Sequence, residues 1–106
     1  MLAKKFRLPI GKWIKEKKGK SINKKSNFFI LKSNLNGLKF SRFGVVVSSK
    51  ISKSAVRRNY IKRIILDFIR IEKLYEIIGK DYLIIVLPSI SKFKKSEIEK
   101  ELKKIL

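Results

Sequence analysis

The sequence predicts an α+β fold: a two-layer α/β sandwich in which a small, mostly antiparallel sheet of about four strands packs against helices. Three observations predict it. Runs rich in β-branched and aromatic residues at 27–32, 39–49 and 81–88 read as strands. An apolar repeat at helical spacing follows Ser54. The length, 106 residues, suits one domain over 1–106 with a single modest core.

Taken in order, Pro9 opens a short helix whose apolar residues Ile10, Trp13 and Ile14 fall at i, i+3 and i+4, and Gly19 marks its end. The run 27–32 is a strand with apolar residues on both faces, and Asn-Leu-Asn-Gly at 34–37 supplies a turn. The segment 39–49 is then expected to return as an antiparallel partner, with Phe43, Val45 and Val47 on one face and Arg42, Gly44, Val46 and Ser48 on the other. Ser54 caps a long helix that Gly79 is expected to stop, with Ile61, Ile64, Ile65, Phe68, Ile71, Tyr75 and Ile78 as its core stripe. The continuous apolar run at 81–88 reads as a buried strand. A last helix presents Ile98, Leu102 and Ile105, and Ser96 with Glu99 matches a capping box.

The formal net charge is +20, yet 44% of residues are hydrophobic, too many for a disordered polycation. Residues 1–66 hold 19 of the 28 Lys and Arg against one acid, Glu16. Such a surface needs nucleic acid, an anionic membrane or an acidic protein as its counterpart. No apolar run has membrane-spanning length and the N-terminus lacks a secretory signal, so a cytoplasmic location is expected, with no membrane partner. The chain has no cysteine and no histidine, which removes disulfides, the usual zinc ligands and the commonest general base.

Lysine outnumbers arginine 22 to 6, so a lysine run such as 15–20 is weak evidence for anything beyond a solvated surface. The arginines run against that bias. Four of them, Arg57, Arg58, Arg63 and Arg70, lie in the stretch SAVRRNYIKRIILDFIR at 54–70. At about 100° per residue, Arg58, Asn59, Lys62, Arg63 and Arg70 share one sector, roughly opposite Ile61, Ile64 and Phe68. Guanidinium makes bidentate contacts with phosphate and stacks on bases, where ammonium is a hydrated point charge. Only Asp67 offers pairing within the stretch, so this is a row for a polyphosphate backbone.

Residues 42–70, RFGVVVSSKISKSAVRRNYIKRIILDFIR, resemble the protein subunit of bacterial ribonuclease P. That family carries Arg-Asn-Arg-x-Lys-Arg, then Arg-Glu and a further Arg, after a Gly-containing strand and a Ser-Lys-Lys segment. The matching positions are Arg58, Asn59, Lys62, Arg63 and Arg70, with Gly44 in the strand and Lys50 after it. Tyr60 and Leu66 stand where the family has arginines, Asp67 replaces Glu, and Ser49 takes one lysine position.

The resemblance implies an endoribonuclease holoenzyme in the cytoplasm. Its catalytic RNA subunit removes the 5′ leader of precursor tRNA, and Mg²⁺ is held mainly by that RNA. No catalytic or metal-binding residue and no small-molecule substrate falls to the protein. It further implies that Arg57, Arg58, Asn59, Lys62, Arg63 and Arg70, with Lys50 and Lys53, dock the catalytic RNA. A cleft formed by Trp13 or Ile14, Phe29, Leu31 and Val46, with Arg7 and Lys12 at its rim, would receive the single-stranded leader. The crossover from the strand at 42–48 through the long helix to the strand at 82–87 is expected to be left-handed on the resemblance alone, against the general preference.

A small basic ribosomal or other structural RNA-binding protein would share the charge and fold class. A metal-dependent nuclease acting alone needs clustered carboxylates, and the acids at 97, 99 and 101 span two helix faces and alternate with other residues.

Overall fold

A computed structural model describes residues 2–15, 22–77, 79–92 and 94–106. Helix α1 spans Ile10–Lys15, strand β1 Ile22–Lys25, β2 Phe29–Leu35, β3 Arg42–Val46, helix α2 Ala55–Ile71, strand β4 Lys80–Val86 and helix α3 Lys95–Ile105. The four strands lie in the order β1-β2-β4-β3. The expected end of α1 at Gly19, the basic residues 16–20 and the stripe residue Ile78 fall outside the described residues.

The last strand in sequence is an inner strand. β4 pairs antiparallel with β2, placing Leu31 opposite Ile84, and parallel with β3, placing Val45 opposite the same Ile84. The hairpin expected between the second and third strands is therefore absent: β4 lies between them. Its residues explain this, because Leu83 to Val86 are apolar on both faces and belong where both faces are covered. β1, which pairs antiparallel with β2, is an addition to the sequence reading. All four of its residues are exposed, so it carries no alternation to betray it, and its lysines suit an edge.

The main core lies between one sheet face and the pair α2 and α3. Phe29, Leu31, Phe43, Val45, Ile84 and Val86 meet Ile61, Ile64, Ile65, Phe68 and Ile69, closed by Ile98, Leu102 and Ile105. A smaller cluster on the opposite face joins Leu8, Ile10 and Trp13 to Val46, Leu83 and Ile85, so α1 covers part of that face. Gly44 makes this seat possible: a Cβ there would lie 2.7 Å from Ile10 Cγ1 and 3.2 Å from Leu8 Cβ.

Ser54 caps α2 as expected, its Oγ accepting from the Arg57 amide. The helix stops earlier than expected. Glu72 closes it, Lys73 turns left-handed at φ 52°, and a 3₁₀ turn at Leu74–Glu76 follows. Ile71 is consequently 63% exposed rather than part of the core, while Ile69, on the i, i+4 line through Ile61 and Ile65, is fully buried. Tyr75, half-buried, leaves the helical stripe and stacks on Phe6. In α3, Lys94 rather than Ser96 is the capping residue, and no side chain completes the cap. Glu101 of α3 instead accepts from the Asn27 amide at 3.1 Å, tying the β1-β2 turn to the helix layer.

Candidate nucleic-acid interface

The main core holds α2 by five residues, which fixes what its other sides present. Asn59, Lys62, Arg63 and Arg70 are exposed, as are Lys50 and Lys53 in the approach to the helix. No acid lies in the first turn, so the amide ends, the Ser54 cap and these lysines leave that terminus electropositive. Among the described residues, the acid that pairs with the row is Asp67, whose Oδ1 lies 3.9 Å from Arg70 Nε, beyond hydrogen-bond length.

Two arginines are less open than the row. Arg58 is half-buried and donates from Nη1 to the Ser52 carbonyl at 2.8 Å, so it braces the loop entering α2. Arg57 is also half-buried, with its guanidinium 5.6 Å from the ring centre of Tyr60. Tyr60, exposed on the next turn, is an accessible aromatic face within the basic surface.

Arg42 falls to a different use. Its fork grips Asp81, which is 3% exposed, and the Asp81 hydrogen bond lifts the Arg42 pKa despite the opposing effect of burial. Asn36 Nδ2 donates to the same carboxylate at 2.8 Å. Arg7, expected at the rim of the leader cleft, is exposed and its backbone bridges to Phe43 at the β3 edge. There it helps line a groove of about 440 Å³ between the N-terminal segment, β3 and α2, opposite Asn59, Lys62 and Arg63.

The remaining cleft residues divide. Phe29 and Leu31, at 0% and 3% exposure, belong to the main core on the α2 and α3 side, so neither lines a cleft beside α1. A strand residue faces opposite to its neighbours. The expectation chose the wrong pair of alternating positions. The β2 residues on the α1 face are Ile30, Lys32 and Asn34, all half-buried. Register aligns Ile30, Ile85 and Val46 in one row that begins at Lys25, and sets Asn23 beside Lys32 in the next. Trp13 is 8% exposed against Leu8 and Leu83, whereas Ile14 is 57% exposed and Lys12 is exposed. The open part of this face is thus an aliphatic strip flanked by cations, and Val46 lies on it.

Among the described residues, no three acidic side chains gather in a way that could hold a metal ion, and no helix is long and apolar enough to cross a membrane.

The Ribonuclease P protein component of Chromobacterium violaceum is 36% identical over 70 residues, covering 66% of this chain and 57% of that protein. The component from Thermotoga maritima is 39% identical over 72 residues, covering 68% and 57%. The alignments thus span little more than half the length of these two relatives. A solved Staphylococcus aureus RNase P protein, a mutant described as having defective mRNA degradation activity, superposes with a TM-score of 0.86 at 25% identity, over 97% of this chain and 86% of that one. A family model described as Ribonuclease P matches residues 10–106. With nearly its whole length under that model and its fold shared with a solved RNase P protein, the chain belongs to the ribonuclease P protein family.

Proposed function

We propose that this chain is the protein component of a cytoplasmic ribonuclease P, binding the catalytic RNA through α2 and the 5′ leader of precursor tRNA on the α1 face of the sheet. The observation that carries the proposal is the division of α2: a row of Asn59, Lys62, Arg63 and Arg70 stands in solvent because the opposite side is anchored in the core. Lys50, Lys53, Arg57 and Arg58 extend the docking surface at the N-terminal end of the helix. Phosphates neutralise this row without desolvating it, and the rigid helix supplies the spacing.

The leader runs along the strip formed by Ile30, Ile85 and Val46, beside Ile14, with Lys12, Lys25 and Lys32 facing its phosphates. Aliphatic contact suits a strand whose sequence differs among precursors, because it reads no base edge. Phe29 has no part in this contact. The Mg²⁺ that hydrolysis uses is assigned to the RNA, as the family resemblance implies. The protein's part is to hold two RNAs in register.

The test is reconstitution. Purified chain added to ribonuclease P RNA at low Mg²⁺ is expected to restore 5′ leader release from precursor tRNA, and the chain alone is expected to release none. Cleavage by the chain without RNA, or no stimulation by it, would overturn the proposal.

A further inference from the structure

The groove between α2 and β3 combines an apolar floor with cations and one carboxylate. Leu8, Phe43 and Leu66 supply aliphatic and aromatic wall, Lys62 and Arg63 stand at the rim, and Asp67 faces the same space. Its volume, about 440 Å³, lies within the range of small-ligand sites. A plain phosphate track has no use for that wall, and an apolar ligand has no use for those cations. A single nucleotide matches both, since it pairs an apolar base face with an anionic phosphate.

Building on the docking role proposed for α2, we propose that this groove seats one unpaired guanine nucleotide of the docked RNA, with the base inward against Leu66 and its phosphate at Lys62 and Arg63. Asp67 sets the identity and the direction. Its carboxylate repels phosphate and accepts N–H donors, so it turns the base rather than the backbone toward itself. Guanine presents two adjacent donors, N1–H and the N2 amino group, to the two carboxylate oxygens. Uracil presents one N–H between two carbonyls, which the carboxylate repels. The carboxylate is available for this: it is one-third exposed, and its one ion pair among the described residues is the 3.9 Å contact to Arg70. Leu66, half-buried beside Asp67, is the wall on which the base rests.

Titration of the full chain with guanosine 5′-monophosphate and with uridine 5′-monophosphate, followed by amide NMR, tests the site. The guanine nucleotide is expected to shift Gly44, Val45, Leu66 and Asp67 and to bind about tenfold more tightly than the uracil nucleotide, as a two-point contact to a base edge supports. Asp67→Asn is expected to level the two. The same variant is then titrated with ribonuclease P RNA. Removing an acid from a basic surface raises non-specific affinity, so a fall in affinity supports the seated guanine and a rise overturns it. Equal binding of both nucleotides, or shifts confined to other surfaces, also overturns it. If wild-type chain does not bind the RNA, the docking role fails instead, and the nucleotide titration still decides the groove.

Discussion

Arg42 and Asp81 join β3 to β4 through a two-pronged contact, Nε to Oδ1 at 2.9 Å and Nη2 to Oδ2 at 2.8 Å. The two residues are register partners, so the pair crosses one step of the parallel ladder. Arg42→Ala leaves the nearly buried Asp81 carboxylate with only the Asn36 amide. A loss of about 3 kcal/mol is expected in urea denaturation, at the low end for an orphaned buried charge because Asn36 remains. Arg42→Lys keeps the charge but not the fork and is expected to recover only part of that loss.

Gly44→Ala is expected to displace α1, since the added methyl would lie 2.7 Å from Ile10 Cγ1. Stability should fall by about 1–3 kcal/mol, the usual range for overpacking. Trp13, the only tryptophan, reports the change directly: its fluorescence should shift to the red as it leaves the cluster with Leu8 and Leu83. Unchanged emission would show that α1 does not depend on Gly44.

Phe29→Ala should act as a core deletion, costing about 3–5 kcal/mol in chemical denaturation. In the holoenzyme, at temperatures where the variant is folded, binding of precursor and mature tRNA should change equally. A selective loss for the precursor would place Phe29 back in the leader path.

Lys32→Ala and Ile30→Ser should do the opposite. Both sit on the α1 face away from the main core. Each is expected to weaken precursor tRNA binding several-fold while leaving mature tRNA within about twofold, the size of loss that one phosphate or one stacking contact produces. Equilibrium binding of the two tRNAs to the reconstituted holoenzyme decides this.

Lys62→Ala and Arg63→Ala should each lower the salt dependence of binding to the catalytic RNA, by about 0.9 in slope where the contact is duplex-like. Both variants should fold as the wild type does, because neither side chain packs in the core. Arg58→Ala should differ from them. It also loses the bond to the Ser52 carbonyl, so about 1 kcal/mol of stability should go with the affinity.

The start of α2, its capped serine and its basic row were legible because each depends on local spacing alone. Partners across the sheet were not. A turn at 34–37 favours a local hairpin, but β4 outcompetes it by offering apolar residues to both faces, and nothing in the spacing of 27–32 or 42–46 records that choice. The doubly apolar run at 83–86 was the available signal for an inner strand. The same blindness misplaced Phe29: alternation separates Phe29 and Leu31 from Ile30 and Lys32 but does not say which set meets α2. Ile71 followed the helical repeat on paper, yet the left-handed turn at Lys73 ends the helix where the core ends. Arg7 could be placed beside α2 only once its bridge to Phe43 was known.

The inner place of β4 also orders events during synthesis. β2 and β3 both complete their ladders on residues 80–86, so a ribosome has already released most of the positive charge before any wall exists to hold α2 in place. The nascent chain therefore carries most of its charge before it has its shape, and a product truncated ahead of residue 80 would lack the strand that joins β2 to β3. Seven late residues turn a charged polymer into a shaped one.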